Sequence, residues 1–418
     1  MARPVIRLDG FDGAWKTTEL NRIGERVTTR NANRDIKETL TNSARHGLVS
    51  QLNYFKNAVS NVKNVDNYYV VDQDYFVYNP RISSVAPFGP INRNRLGRPG
   101  IVSPLYSVFT IDGVDTSFAE TFFKTSRWHN FMRMNGDTGA RHDRFTIGVD
   151  DFFQLPVTVP PTRDEQYAIG RFFEDIDASL QAQQTRLTQL RHLKQSMLTK
   201  MFPRDGETEP ELRLDGFDGE WQIRSVDELF TFLRTNSLSR AYLTENKTDI
   251  HNIHYGDVLN KYGSVLDYES ESIPYIADTN NSFLGDFLAS GDIIFADAAE
   301  DLTVGKCTEV RSIDRESVVS GLHTIAARSS ILFAPGFLGH ALNAGSFHDQ
   351  LVPLIQGTKV SSISSNTLRS CYVAYPTFDE QRGIGTYFTK LDQLIDLEDS
   401  KLTKLQQLKA AFLQKMFV

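Results

Sequence analysis

Arginine is concentrated in two stretches of the first half of the chain, and guanidinium groups both grip phosphates and read base edges. One stretch follows a β-rich run that ends near residue 78, and the other spans residues 127–144. We single out six of these arginines as candidate DNA contacts: Arg81, Arg93, Arg95, Arg98, Arg127 and Arg141. The alternative is an ordinary solvated face, which is the usual meaning of a charge cluster.

The second half of the chain offers fewer cations. Residues 222–376 hold 11 Lys and Arg against 18 Asp and Glu, whereas residues 16–161 hold 18 against 14. This acidity argues against a purely electrostatic grip on DNA, although a few cations that converge on one face would still serve. Lys306 and Lys359 are the candidates there, together with a polar loop at Asn280 and Asn281.

Signals for catalysis and metal binding are weak. The chain has no phosphate-cradling Gly-Lys-Ser/Thr loop, no Rossmann glycine pattern, no nucleophile elbow and no Asn-Pro-Pro-Tyr motif. His251 and His254 could be imagined as metal ligands, but two residues three apart without a third ligand are more often structural. His323, His340 and His348 are isolated in the sequence. We therefore predict no catalytic residue and no metal site in this chain.

The elements that must position these residues come from an internal duplication. Residues 7–15 (RLDGFDGAW) return at 213–221 with eight of nine positions identical. Residues 162–202 return at 377–417 with 17 identities over 41 positions, and both copies end in Met-Phe. The segments between the repeats do not resemble each other. Either they drifted after the duplication or, as we favour, a common frame carries two modules with different tasks.

Each repeated C-terminal block predicts one long amphipathic helix. Capping boxes begin at Thr162 and Thr377, and apolar residues then recur every three or four positions. About 40 residues make a rod of roughly 60 Å, too long to bury its apolar stripe on one small module. We therefore predict that the two helices pair, rather than each packing on its own module. Eight residues are assigned to the pairing stripe: Leu187, Leu190, Leu193, Met197, Leu402, Leu405, Leu408 and Phe412.

These observations predict an α+β fold. Two mixed α/β domains are separated by two long helices that pair as an antiparallel coiled coil, with a pseudo-twofold internal repeat. The predicted segments are 1–15 and 207–221 (repeat motifs), 16–161 and 222–376 (variable domains), and 162–206 and 377–418 (long helices). Within the first domain, residues 68–71, 75–78 and 100–109 predict strands.

Composition places the chain among ordinary folded proteins. Of its 418 residues, 40% are hydrophobic and 23% are charged, and two cysteines are too few for a disulfide scaffold. It has no run of about 18 apolar residues that could span a bilayer, and its N-terminus lacks the apolar stretch of a signal peptide. We therefore expect a cytoplasmic protein without membrane partners. The net charge of −7 by itself gives no hint of nucleic acid.

Taken in order, these motifs resemble the specificity (S) subunit of type I restriction-modification systems over essentially the whole chain. The resemblance rests on the two Leu-Asp-Gly-Phe-x-Gly-x-Trp motifs, on the Asp-Glu-Gln starts of the long helices and on their Lys-Met-Phe ends. It also rests on residues 78–82 (YNPRI) and 100–104 (GIVSP), a pattern typical of target-recognition domains in that family. The second domain resembles the family at residues 291–294 and 319–321 but lacks the Asn-Pro-x-Arg signature.

The resemblance implies a subunit that does no chemistry and binds no cofactor itself. Each target-recognition domain would read one half of an asymmetric, bipartite site in double-stranded DNA, and the helices would set the gap. Two adenine-specific methyltransferase subunits, which use S-adenosylmethionine, would dock on helix faces not used in pairing, near Lys194, Lys200, Lys409 and Lys415. Restriction subunits, which use ATP and Mg²⁺, can join and cleave unmethylated DNA.

Two other functions stay open on the sequence. A tandem protein-binding scaffold would share the repeats and the long helices, but it gives no reason for the arginine-rich stretches. A nuclease or a fused specificity–methyltransferase chain is opposed only by missing motifs.

Overall fold

The computed structural model describes residues 3–54, 62–138, 142–277, 285–314, 316–357 and 359–418, which form two compact units. The first unit comprises residues 1–184 and 401–418, and the second comprises residues 185–400. Each unit thus contains one variable segment, the first part of the long helix that follows it and the last part of the other long helix. The finer segment boundaries stay predictions. No helix in the described ranges is long and apolar enough to cross a membrane.

The first unit is built from short antiparallel strands. They are β1 (Lys16–Glu19), β2 (Arg26–Val27), β3 (Leu40–Ser43), β4 (Gly47–Ser50), β5 (Tyr69–Val71), β6 (Phe76–Tyr78), β7 (Ile91–Arg93), β8 (Gly100–Val102), β9 (Ser107–Phe109), β10 (Gly136–Thr138), β11 (Phe145–Ile147) and β12 (Pro156–Val159). Four strands form a sheet of order β2-β9-β6-β7, and the others pair as β1-β12, β3-β4, β5-β8 and β10-β11. The prediction of one strand over 100–109 is wrong, because a turn closed by the Tyr106 N–H and the Ser103 carbonyl separates β8 from β9.

The second unit contains two larger sheets, each with one parallel pair. Its strands are β13 (Gln222–Ser225), β14 (Phe230–Leu233), β15 (Leu243–Thr244), β16 (His251–Ile253), β17 (Val265–Asp267), β18 (Tyr275–Ile276), β19 (Ile293–Ala296), β20 (Ala298–Ala299), β21 (Cys307–Arg311), β22 (Val318–Ser320), β23 (Thr324–Ser329), β24 (Ser361–Ser362) and β25 (Tyr372–Tyr375). The sheet orders are β14-β23-β19-β21-β17 and β15-β18-β16-β22, with β17-β21 and β16-β22 parallel. Two further pairs are β13-β25 and β20-β24.

Two helices of 38 residues dominate the helical content, and with the sheets they confirm the predicted α+β class. The α-helices are α1 (Gln51–Tyr54), α2 (Thr116–Phe123), α3 (His129–Asn135), α4 (Val149–Phe153), α5 (Arg163–Lys200), α6 (Val226–Leu229), α7 (Tyr255–Asn260), α8 (Phe337–Ala341), α9 (Gly345–Leu351), α10 (Ser365–Arg369) and α11 (Phe378–Lys415). Short 3₁₀ helices span Leu20–Arg22, Val62–Asn67, Arg240–Tyr242 and Val352–Leu354.

A buried ion pair joins each RLDGFDGxW motif to the start of a long helix. The Arg7 guanidinium donates two hydrogen bonds of 2.7 Å to the Glu165 carboxylate. Arg213 repeats this with Glu380 at 2.8 and 2.7 Å. Both carboxylates are only 1% exposed, and Trp15 Nε1 also donates to Glu165 at 3.2 Å. Since a buried charge without a partner is strongly destabilising, each motif is fixed to its helix.

The capping box predicted at Thr162 is therefore only half correct. The Glu165 backbone N–H donates to the Thr162 hydroxyl at 3.3 Å, but the Glu165 carboxylate turns away to Arg7. The next residue, Gln166 or Gln381, joins a backbone N–H of the variable segment to a proline carbonyl just before the helix. The Asp-Glu-Gln motif thus attaches both the repeat motif and the variable segment to the helix.

The Met-Phe ends of the long helices complete the two cores. In the first unit Phe417 stacks on Phe118, with ring centroids 5.4 Å apart, and meets the edge of Trp15 at 6.1 Å. In the second unit Phe202 meets the edge of Trp221 at 6.1 Å. The first unit therefore needs the last residues of the chain for its core.

Within each unit the two helix segments run antiparallel. An ion pair at equivalent repeat positions joins them, Lys409 with Asp177 in the first unit and Lys194 with Asp392 in the second. In both units the residue number rises along α5 as that of the contacting residue on α11 falls. The contacts are Phe172 with Phe412 and Asp177 with Lys409 in the first unit, and Arg186 with Glu398 and Lys194 with Asp392 in the second.

The residues assigned to the pairing stripe divide into two groups. Leu187 and Leu402 are buried, and four others are partly buried: Leu190, Met197, Leu405 and Phe412. The assignment is wrong for Leu193 and Leu408, which are 42% and 51% exposed.

Lysines take the inward positions beside these two exposed leucines. Lys194 and Lys409 are half-buried because their ammonium groups bind the aspartates of the facing helix segment. A step of one residue turns the side chain by about 100° around a helix, so the preceding leucine points outward. The two lysines are therefore used in pairing and are not free for partner docking.

We expect Phe417→Ala to lower the free energy of unfolding of the first unit by about 3–5 kcal/mol, because it opens a cavity among aromatic rings. Hydrogen exchange measured by mass spectrometry would show faster exchange in residues 1–184 and 401–418. The matched variant Phe202→Ala should instead loosen residues 185–400. Equal loosening of both units by Phe417→Ala would contradict this assignment of the cores.

Candidate nucleic-acid interface

Arg93 and Arg95 are held by carboxylates inside the first unit. Arg93, at the end of β7, is 10% exposed and its Nε lies 3.1 Å from Glu120 Oε2. Arg95 donates to Glu120 at 2.7 Å and to Glu174 at 2.6 Å. Glu120 lies on α2 and Glu174 on α5, so the network ties the variable segment to the long helix. DNA contact by these arginines stays a prediction, and this geometry favours a packing role for Arg93.

The remaining predicted arginines of this unit lie nearer the surface. The Arg98 guanidinium is 55% exposed and lies 3.4 Å from the Glu38 carboxylate. Arg127 is also exposed and donates to the backbone carbonyl of Gln414 at 2.5 Å. Arg141 lies outside the described residues.

Arg81 and Arg144 are two exposed arginines of the first unit that lie opposite each other. Their backbones are antiparallel bridge partners, and the Phe145 N–H donates to the Pro80 carbonyl at 2.8 Å. Both side chains are exposed, and neither forms an ion pair with a described residue. Like charges placed opposite each other on adjacent strands are destabilising, and an anion such as a phosphate relieves that repulsion.

Several basic side chains line a cleft of about 1190 Å³ in the same unit. Arg93, Arg95 and Arg127 line it, together with Arg45 and His46 from the β3–β4 turn. Sequence reasoning missed Arg45 and His46. The available signal was the short Ala-Arg-His-Gly turn between two β-rich runs, which places both side chains at a hairpin tip.

The helical wall of the cleft carries balanced charges. Lys124 and Lys409 both bind Asp177 there, and Lys124 Nζ also lies 3.5 Å from the Glu120 carboxylate, so two cations face two anions. Burial alone would raise the pKa of Asp177, but the two bonded ammonium groups hold that pKa below its ordinary value, so the carboxylate stays ionised. The excess positive charge of the cleft therefore comes from the variable segment.

The second unit offers little free positive charge at the predicted positions. The Lys306 ammonium donates to the backbone carbonyls of Leu259 and Tyr262 at 2.8 and 3.1 Å, and burial lowers the pKa of Lys306. This geometry gives Lys306 an internal role and does not support its predicted DNA contact. Lys359 is exposed, whereas Asn280 and Asn281 lie outside the described residues.

The structure also places the histidines that could have suggested a metal. No group of three His, Cys, Asp or Glu side chains within the described ranges could hold a metal ion. His251 is buried, with Nδ1 2.8 Å from the Ile273 carbonyl and Nε2 2.9 Å from the Tyr268 hydroxyl. Both of its ring nitrogens are therefore occupied by structural contacts.

Comparison with known proteins points to one class. Residues 218–407 match the family model of the type I restriction modification DNA specificity domain. The S subunit of a type I restriction-modification system from M. genitalium has a similar fold, with 14% identity, a TM-score of 0.57 and coverage of 100% of this chain and 99% of that chain. A chain of a type I R-M system studied for complex assembly and conformational transition matches with 13% identity, a TM-score of 0.54 and coverage of 98% and 99%. No curated protein matches in sequence.

Residues 218–407 therefore carry a DNA specificity domain of the type I restriction-modification class. The predicted resemblance to S subunits is confirmed, by the family model over residues 218–407 and by the similar fold over the whole chain. A specificity subunit recognises a DNA sequence, while methylation and cleavage belong to other subunits.

We expect Arg81→Ala and Arg144→Ala each to weaken DNA binding by the full chain, because each takes away one cation that meets a phosphate. The slope of log K against log salt should fall in magnitude by about one for each phosphate that is no longer neutralised. Fluorescence anisotropy at several low salt concentrations would measure this. Arg22→Ala, which removes an exposed arginine away from the cleft, is the matched control. An unchanged slope in both the Arg81→Ala and the Arg144→Ala variants would contradict the interface.

Proposed function

We propose that each unit reads one half of a bipartite, asymmetric DNA site. The observation that carries this proposal is that two unlike variable segments are attached to one repeated frame by the same buried Arg–Glu pair. One frame used twice explains a shared task, and two different sheet topologies explain two different half-sites. The first unit would grip its half-site with Arg81, Arg144 and the basic side of the cleft.

The long helices would set the gap between the half-sites. Each helix passes from one unit to the other within 38 residues, so the chain connects the units twice through helical segments. Because a helix has a fixed rise per residue, the number of helical residues would fix the spacing of the two recognition surfaces.

We further propose that two copies of an adenine-specific methyltransferase subunit dock on the repeated helices. Leu193 and Leu408 support this, because they are exposed leucines at equivalent repeat positions and would offer the same contact twice. Of the lysines predicted for docking, Lys415 remains exposed, while Lys200 pairs with Glu211 at 2.7 Å.

The cofactors would belong to the partners. S-adenosylmethionine would be bound by the methyltransferase subunits, and ATP and Mg²⁺ by two restriction subunits where these join. The complex would work in the cytoplasm, where it meets chromosomal DNA, and the partners would supply much of the positive charge that surrounds the duplex.

The first test is single-molecule methylation sequencing of DNA from cells that express this chain with its neighbouring methyltransferase subunit. We expect methyladenine at one split motif, and we expect that signal to vanish when this chain is omitted. A folded complex that yields no split motif would overturn the recognition function and favour a protein-binding scaffold. Methyl transfer by the purified single chain would instead establish an enzyme.

Deletion of matched heptads tests the role of the helices. Removing residues 181–187 and 396–402 keeps the phase of the apolar stripe and shortens each helix by about 10 Å, or about three base pairs of duplex. The methylated motif should keep both half-sites and lose about three base pairs from its gap. A change in either half-site sequence after this deletion would count against the proposal.

A further inference from the structure

Two parallel strands of the second unit end side by side and place two histidines at one edge of a sheet. β16 and β22 pair with Ile253 opposite Ser320, and the Gly321 N–H donates to the Ile253 carbonyl at 2.8 Å. His254 follows β16 directly, and His323 lies three residues beyond β22. The topology therefore brings together two side chains that are 69 positions apart in the sequence.

These histidines differ from the structural ones in the use of their ring nitrogens. His251 and His340 both have both nitrogens within hydrogen-bond distance of protein atoms. In His254 and His323 only Nδ1 is bonded to a described residue. Of the two, His254 is buried, so His323, whose side chain is 50% exposed, is the one that offers its second nitrogen to an external partner.

His323 is held in an unusual backbone conformation with its side chain outward. Its φ is +56°, which places it in the left-handed region, and its side chain is 50% exposed. Its Nδ1 lies 3.1 Å from Asp297 Oδ1, and the Asp297 N–H donates to the His323 carbonyl at 3.0 Å. A carboxylate only accepts, so this contact selects the tautomer with the proton on Nδ1, and in that tautomer Nε2 is a hydrogen-bond acceptor.

His254 and Tyr255 support this arrangement. His254 Nδ1 accepts the Gly256 N–H at 3.2 Å and so caps the start of α7. Burial lowers the pKa of His254, which keeps that ring neutral. Tyr255 packs against both rings, with centroid distances of 4.6 Å to His254 and 5.3 Å to His323. His254 is therefore a positioning residue, and His323 is the exposed residue that can contact a ligand.

A cation lies close to this edge as well. Arg240 is 58% exposed and binds the buried carboxylate of Asp257 on α7, the helix that His254 caps. An exposed guanidinium fixed at one side can meet a backbone phosphate, while acceptors beside it face the groove.

We propose that His323 and Asp297 form the base-reading site of the second unit, for a base that presents an exocyclic amino group to the major groove. This inference rests on the proposed recognition of half-sites. Adenine N6 and cytosine N4 donate hydrogen bonds, whereas guanine O6 and thymine O4 would face His323 Nε2 with a second acceptor. An acceptor-rich site also explains how an acidic segment, with 11 basic against 18 acidic residues, can read DNA.

The test uses methylation sequencing with the whole complex and variants chosen for the backbone. His323→Gly removes the ring and relieves the left-handed strain, so it should not unfold the unit. Asp297→Asn keeps the shape but removes the charge that fixes the tautomer. His192→Ala, which removes an exposed histidine of α5 in the same unit, is the matched control.

We expect His323→Gly and Asp297→Asn to relax the same single base position by about ten- to hundred-fold, in one half-site only. That half-site should be the one that Arg81→Ala leaves unchanged, and His192→Ala should keep the wild-type motif. An intact preference in both variants, or a uniform loss of methylation over both half-sites, would overturn the base-reading site. If the wild-type complex gave no split motif, the recognition function would fail and this inference with it. If Asp297→Asn unfolds the unit, as a thermal melt would reveal, His323→Gly alone decides.

Discussion

The attachment of the repeat motifs and variable segments to the long helices depends on two buried carboxylates. Glu165 and Glu380 lie at the start of the long helices with almost no exposure, and a carboxylate buried there needs a cationic partner to offset its lost hydration. Arg7 and Arg213 supply it, and each arginine also donates to two backbone carbonyls of its own motif. The helix start, the repeat motif and, through the following glutamine, the variable segment are therefore fixed at one point.

Because this anchor uses only repeated residues, the variable segments are free to differ. Among the described residues, the strand pairs of the first unit are antiparallel and its one parallel contact is an isolated bridge between Thr39 and Ile101, whereas the second unit contains two parallel strand pairs. The Met-Phe ends of the helices add a second shared element, since Phe417 and Phe202 fill equivalent aromatic cores. The repeated residues thus form a common frame, and the two variable segments differ without changing it.

The arginines of the two variable segments differ in how far carboxylates neutralise them. In the first unit some arginines are neutralised by carboxylates that attach the segment to the helix, and others remain exposed. In the second unit several exposed arginines are paired, for example Arg328 with Asp292 and Arg234 with Asp286. Paired arginines attract phosphates less than free ones, so under the proposed function the second unit would depend on base-edge contacts for specificity and on other groups for affinity.

The sequence by itself determined the duplication, the two long helices and the resemblance to S subunits. Repeated motifs and helical periodicity depend only on the order of residues within short segments, so they can be recognised without the fold. It could not separate Arg93, whose charge Glu120 takes up, from Arg81, which stays free. It also placed Leu193 in the helix stripe, although Lys194 takes that place to reach Asp392. The tertiary structure decided these points and brought His254 to His323, because ion pairs and parallel strand pairing join residues that lie far apart in the chain.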